Sequence, residues 1–306
     1  MLDTALQIHI PYMREKSAFS SKKISKHRNT KKLITSKKSP NKSGNKKTDE
    51  IFSNQEIKQD LQSFYNNEAK KYAETRKKFW HEEKNILNAI TPLFNHEKKI
   101  RVLEFWCWSG RFATLLNNNF EWQFDYIGID LSEELIQFAS KDNPDLTFIQ
   151  WDITKLIWTF EQESFDLIVW TSSFQHIPTA KERSFLMKNF YRLLNYDWIL
   201  LMTNRCLSSW FFKKNWKIVY KARILSWVKI NKNIARDILV PRKDNTWKVY
   251  NRFYHFFSLN ELEKLAVFAW LSIKTNKFMD ENWELTDKEK TSRSSIFIAT
   301  KSPIEW

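Results

Sequence analysis

The sequence predicts an α/β fold: a doubly wound, mostly parallel seven-stranded sheet with an antiparallel C-terminal edge strand. Two observations carry this. From residue 100 onward, short apolar runs alternate with segments whose apolar residues recur every three or four positions, the pattern of repeated βαβ units. The last two apolar runs have only a polar turn between them, so they read as an antiparallel pair at the sheet edge. At 306 residues the chain has room for one such domain with an added segment.

The elements follow in order. Residues 1–50 are rich in Lys, Ser and Asn and lack apolar periodicity, so they are expected to be a disordered basic tail. The remainder, 51–302, is expected to be one domain, beginning with a helical cap over 51–94 that is free of Gly and has a 3–4 apolar spacing. Strands are predicted at 100–105, 124–129, 146–149, 165–170 and 198–203, with helices at 110–118, 132–140 and 179–194 between them. A basic insertion over 205–257 comes before the final pair, "LSIKTNKFM" and "SSIFIATKS".

The net charge of +15 is concentrated in two places. Residues 1–50 carry +9 and residues 211–252 carry +10, which leaves the rest of the chain mildly acidic. Basic segments of this kind can hold a polyanion through phosphate contacts. In the second one, aromatic residues interleave with the bases ("WFFKKNWKIVYKARILSWVKI"), as expected of an amphipathic helix that packs its rings on the body and leaves its cations outward. The two cysteines, Cys107 and Cys206, form no paired motif, so no disulfide framework or metal site is expected. No apolar run reaches the ~20 residues of a membrane span, and no apolar signal core opens the chain. A cytoplasmic protein that makes no membrane contact is the expectation.

In a doubly wound sheet, ligands bind outside the carboxyl ends of the strands. Four segments fall there: "VLEFWCWSG", "YIGIDLS", "FIQWDIT" and "FDLIVWTSSFQHI". Asp130 closes the second strand twenty residues after Gly110, the spacing at which an acid can bind ribose hydroxyls. These segments, in this order, resemble the class I S-adenosylmethionine-dependent methyltransferases over about residues 60–302. The resemblance implies S-adenosyl-L-methionine as cofactor. It assigns the cofactor site to Glu104, Phe105, Trp106, Trp108, Gly110, Asp130, Leu131, Asp152, Ile153 and Thr171, with Arg76 either reaching the cofactor carboxylate or only decorating its helix.

Trp106, Trp108 and Trp151 stand where that family has glycine. The chain has only three glycines but fifteen tryptophans, and seven more tryptophans, at 122, 170, 198, 247, 270, 283 and 306, lie in turn-like or strand-end contexts. Reading these ten as glycine leaves thirteen glycines and five tryptophans. A decoding difference explains all ten at once, since some bacterial lineages read UGA as glycine. Read literally, the two indoles at 106 and 108 would crowd the cofactor pocket.

Within the insertion, "ARDILVPRKDNTWKVYNRFYHFFSLNELEKL", together with "AETRKKFW" upstream, resembles the Trm9/AlkB-homologue-8 tRNA wobble-uridine methyltransferases. Arg242 departs from that pattern, standing where the family commonly has Trp. The resemblance implies methyl transfer to the carboxylate of a carboxymethyl-uridine, with tRNA as partner and, in some relatives, a small activating protein. A carboxylate is ionised at neutral pH and needs no general base, which suits the lack of an acid–base pair in these loops. No catalytic residue is assigned; Arg205, Arg252 and His255 are the candidates for clamping the substrate carboxylate. His176 reads as mainly structural. Two other functions share these features: a small-molecule or lipid methyltransferase on the same fold, and an inactive nucleic-acid-binding protein, which literal tryptophans would favour.

Overall fold

The computed structural model describes residues 54–76, 82–94, 98–121, 123–228, 236–244 and 246–302. The expected basic tail, Trp122, Trp306 and the second half of "AETRKKFW" lie outside the described residues. Two helices, α1 (Asn54–Arg76) and α2 (Glu83–Ile90), lead into β1 (Ile100–Phe105). Then follow α3 (Arg111–Phe120), β2 (Phe124–Asp130), α4 (Glu133–Asp142), β3 (Thr147–Gln150), the one-turn α5 (Ile153–Leu156) and β4 (Phe165–Thr171). Next come α6 (Ala180–Leu193), β5 (Leu194–Arg205), α7 (Ser209–Val228), β6 (Asp237–Lys243) and β7 (Val249–His255). The last elements are α8 (Leu259–Phe268), β8 (Ser272–Met279), β9 (Leu285–Thr286) and β10 (Ser294–Thr300).

The main sheet runs β3-β2-β1-β4-β5-β10-β8-β9. β1 to β5 pair in parallel, and β10 and β8 are antiparallel. The sheet differs from the prediction in two ways. The two-residue β9 makes an eighth strand, and β10 is interior, held between β5 and β8, so that β8 and β9 form the edge. A strand buried on both sides suits the apolar "SIFIAT" run, and the more polar "SIKTNK" run can tolerate an edge.

Alternation along each strand divides the core in two. Ile100, Val102, Leu167, Val169, Ile199 and Leu201 face α2 and α3. Leu103, Phe105, Ile168, Trp170, Leu200 and Met202 face the opposite layer, which contains α1, α6 and α8. Side-chain caps open several helices: Ser132 accepts from Leu135 N–H, Thr179 from Glu182 N–H and Ser258 from Glu261 N–H.

The basic insertion folds as α7 followed by the two-stranded β6–β7 hairpin. The sequence pattern anticipates the helix; the hairpin only becomes legible once seven residue pairs are in register. Val219 and Ile218 of α7 pack with Phe211 and Phe212 against Ile238, Val240 and Phe256. The insertion therefore has its own small core above the C-terminal ends of the strands. Among the described residues no helix is long and apolar enough to cross a membrane.

A buried ion-paired histidine fastens this hairpin to the body. His255 is 1 % exposed; its Nδ1 lies 2.5 Å from Asp237 Oδ1 and its Nε2 2.7 Å from Glu261 Oε1. Burial alone would lower its pKa, but the hydrogen bonds to Asp237 and Glu261 outweigh burial and hold it above 6.5. A raised folded-state pKa gives stability that is full below pH 6.5 and is lost as pH rises through the folded value. Melting temperature should therefore fall from pH 6 to pH 9 in the unaltered chain and fall less in His255→Gln; parallel pH profiles for the two would refute the linkage.

Candidate functional site

The loop after β1 sets the geometry. Cys107 N–H donates to Ile129 O (3.1 Å), Trp108 N–H to Asp130 Oδ2 (3.0 Å) and Gly110 N–H to Cys107 O (2.9 Å). To make these bonds the backbone enters the left-handed region three times within five residues, at Trp106 (φ 54), Trp108 (φ 56) and Gly110 (φ 77). At Gly110, the N-cap of α3, an added Cβ would sit 2.8 Å from Asn143 Nδ2 and 3.2 Å from Ala139, so this position admits glycine only.

The same anomaly recurs in three turns. Asp244 Oδ1 accepts from the N–H groups of Thr246 and Lys248, and Asp280 Oδ1 from those of Asn282 and Glu284. In each turn the enclosed tryptophan, Trp247 or Trp283, has φ 65. Trp270 (φ 60) follows α8, and Leu271 N–H closes back on Ala266 O at 3.0 Å, a helix stop that ordinarily takes glycine. Five of the eight non-glycine residues with positive φ among the described residues are thus tryptophan. Trp151, Trp170 and Trp198 are not among them; before the apolar part of β5 the left-handed residue is Asp197 (φ 65).

Two hollows adjoin the loop. The first, about 10 Å³, lies between Asp130, Leu131, Leu61 and the indoles of Trp106 and Trp108. That is room for about one water molecule. Trp108 stacks on Tyr72 (5.5 Å, 20°) and meets Tyr65 edge-on, and Trp106 stacks on His176 (5.4 Å, 21°). The second hollow is a cavity of about 650 Å³ beneath α1, α7 and the β6–β7 hairpin. Six cations reach it: Arg111, Arg205, Lys214, Arg242, Arg252 and Arg293. Glu82 and Glu104 are its carboxyl groups.

Glu104 hydrogen-bonds the Tyr126 hydroxyl. Burial pushes its pKa up to about 8, with Tyr126 lowering it and Asp130 raising it. Burial likewise raises Asp130 to about 6, against the N–H groups of Ser132, Trp108 and Leu131. His176 is brought to about 3 by burial, so its ring is neutral; Nδ1–H donates to Phe253 O (2.6 Å) and Tyr65 Oη stands 3.5 Å from Nε2. Burial also raises both thiols, leaving Cys107 and Cys206 protonated and unreactive.

The structure brings Glu104, Trp108, Thr171, Arg205 and Arg252 together around the larger cavity, and Trp106, Trp108, Asp130 and Leu131 around the smaller hollow. Gly110 supplies backbone geometry. Phe105 is buried in the core against Phe190, and Ile153 is buried beside it. Asp152 caps α5 through Thr154 N–H and holds Lys58 Nζ at 3.4 Å. His255 does not reach the cavity; it is enclosed by Asp237 and Glu261. Arg76 ends α1, and its side chain is outside the described residues. Tyr65, Glu82 and Arg293 line the cavity without a sequence signal, because they come from a helix face, a helix cap and a distant turn.

The fit to S-adenosylmethionine is divided. The larger cavity has ample room beside Glu104 and Thr171. The hollow at Asp130, where the ribose and base would lie, is filled by the two indoles. As written, the residues do not fit the adenosyl end.

Residues 102–197 match a family described as methyltransferase domain. Among solved structures, a S-adenosylmethionine-dependent methyltransferase from Methanosarcina mazei is 19% identical, with 70% of this chain and 97% of that chain covered and a TM-score of 0.52. One from Clostridium acetobutylicum is 15% identical, covering 78% and 99%, with a TM-score of 0.53. A Haloferax volcanii chain from a complex with the Trm112 methyltransferase activator is 14% identical, covering 80% and 99%, with a TM-score of 0.55. No curated protein matches the chain.

Proposed function

We propose that the chain, whose residues 102–197 match a methyltransferase domain, is an S-adenosylmethionine-dependent methyltransferase, and that its acceptor is the carboxylate of a carboxymethyl-type wobble uridine in tRNA. The observation that carries this reading is the charge of the cavity: six cations face it, while Glu104 is largely protonated at neutral pH. Arg252 is the most enclosed of the six, 9 % exposed, with an Nε that has no partner and a guanidinium over the rings of Phe64 (5.0 Å) and Tyr254 (5.4 Å). A cation held this way favours an anionic acceptor.

The cofactor supplies an electrophilic methyl group when bound. The chain's own residues contribute binding and orientation. Arg252 and Arg205 take the acceptor's charge, and α1, α7 and the hairpin exclude water from the cavity. Since the acceptor oxygen is already ionised, no proton has to be removed, in keeping with the neutral, hydrogen-bonded His176.

We also propose that the natural protein has glycine at several of the tryptophan positions, through UGA recoding. Support comes from backbone energetics. A left-handed L-residue costs about 1–2 kcal/mol, so five tryptophans would cost about 5–10 kcal/mol against a typical net stability of about 5–15 kcal/mol. In protein from the native source, tryptic peptide 102–111 should be lighter by two Trp-to-Gly replacements; UGG codons at 106 and 108 would overturn this.

The acceptor is tested by incubating the W106G/W108G chain with cofactor and tRNA bearing carboxymethyl-uridine, followed by nucleoside mass spectrometry. A wobble-uridine methyl ester is expected. Cofactor binding without ester formation on any tRNA would favour a small-molecule or lipid acceptor instead.

A further inference from the structure

One carboxylate in this cationic cavity remains unused. Glu82 is 6 % exposed and begins α2, where its carbonyl accepts from Ile86 N–H (3.1 Å). Its Oε2 accepts from Thr203 Oγ1 (3.1 Å) and Ser172 Oγ (3.5 Å). Ser172 reaches it through a left-handed backbone (φ 51), and its N–H is anchored on Thr203 O at 2.8 Å. A helix start and two strand ends thus aim this one side chain. Oε1 has no partner among the described residues and is not sealed in the protein, so it faces the cavity as an open acceptor. Among the described residues no ion pair joins Glu82 to a cavity cation, and Arg205, two residues beyond Thr203 on the same face of β5, stands about 7 Å further along the strand.

We infer that Glu82 is a specificity-determining residue that accepts a hydrogen bond from a ring N–H of the methyl acceptor, next to the arginines that hold the acceptor's negative charge. An anion alone would be better served without this carboxylate. A molecule presenting an anion and, a few ångströms away, an imide N–H matches both features. A 5-carboxymethyl pyrimidine does so, with its N3–H as donor, and the inference rests on the tRNA acceptor proposed above. Glu82 is the reader of that N–H and takes no proton, because the reacting oxygen carries none.

The test compares two anticodon stem-loops, one with 5-carboxymethyluridine and one with the same base methylated at N3, on the full chain with glycine at 106 and 108 and on its Glu82→Gln and Glu82→Ala derivatives. For the parent, N3 methylation should raise KM by roughly 10- to 100-fold with kcat little changed, because a buried acceptor is left unpaired. Glu82→Ala should treat both stem-loops alike. Glu82→Gln keeps an acceptor oxygen, so it should retain most of the discrimination and an unchanged pH profile. Equal use of both stem-loops by the parent overturns the role of Glu82 and leaves the tRNA reading standing. Loss of kcat and of the pH profile in Glu82→Gln would make Glu82 a base and overturn the inference. Cofactor binding with no methylation of either stem-loop removes the tRNA reading and this inference together.

Discussion

Replacing Trp106 and Trp108 together by glycine should raise affinity for S-adenosylmethionine at least about a thousandfold, from weaker than millimolar to micromolar, a gain of about 4 kcal/mol. The hollow at Asp130 holds about 10 Å³ because the two indoles fill it. Neither indole can simply swing out. Trp106 is 9 % exposed against His176, and Trp108 is stacked on Tyr72 with Tyr65 edge-on against it. Removing them loses buried ring contacts, worth about 3–5 kcal/mol for a fully buried ring, and relieves two left-handed backbones at about 1–2 kcal/mol each. The two effects oppose each other, so the net change in stability should be no more than a few kcal/mol. Calorimetric titration checks the binding, with Trp158→Gly as control, since Trp158 is exposed and remote from both hollows. Micromolar binding by the chain as written would sink the prediction and the glycine proposal with it.

Arg252→Met should lower kcat/KM for an anionic acceptor by roughly 30- to 150-fold, mostly through KM, the loss of a charged hydrogen bond worth about 2–3 kcal/mol. Folding should be little affected. Arg252 makes no ion pair among the described residues and leaves its Nε without a partner, amid Phe64, Tyr65 and Tyr254. Its charge is offset by tyrosines and ring faces and not by a carboxylate, so exchanging it for an apolar chain of similar length should cost little folding stability. Thermal denaturation should show a nearly unchanged Tm, and cofactor affinity should stay the same. An activity loss accompanied by a lower Tm would instead mark Arg252 as a structural residue.

Much of the fold could be read directly. The predicted strands at 100–105, 124–129 and 165–170 correspond to β1, β2 and β4 to within a residue, because parallel strands buried on both faces must be continuous apolar runs. The loop after β1 was legible for a related reason. Its acid, its spacing and Gly110 are fixed by backbone geometry, and backbone demands leave a sequence trace. The tryptophans at 106, 108, 247, 270 and 283 show this in reverse, as each occupies a left-handed backbone that the surrounding sequence requires.

The acceptor side was less legible. Arg205 and Arg252 could be named, but His255, in the same "RFYH" segment, points into the body. The reason is strand alternation: Arg252 and His255 are three residues apart on β7 and so face opposite sides. The side each faces depends on the pairing of β6 with β7, which fixes Asp237 opposite His255. Glu82 precedes the strands by almost twenty residues and belongs to no motif. It becomes part of the cavity only when α2 docks on the sheet and Thr203 and Ser172 take hold of its carboxylate.

The sequence by itself determined the α/β class, the first five strands along the chain, the turn after β1 and five of the ten suspect tryptophans as left-handed positions, because local periodicity and backbone handedness are properties of short segments. Only the tertiary structure decided which side chains share the cavity, that β10 lies inside the sheet, and that His255 is a fastening for the hairpin. Those outcomes depend on register and on helix docking, where contacts far apart in the chain outweigh anything a short segment specifies.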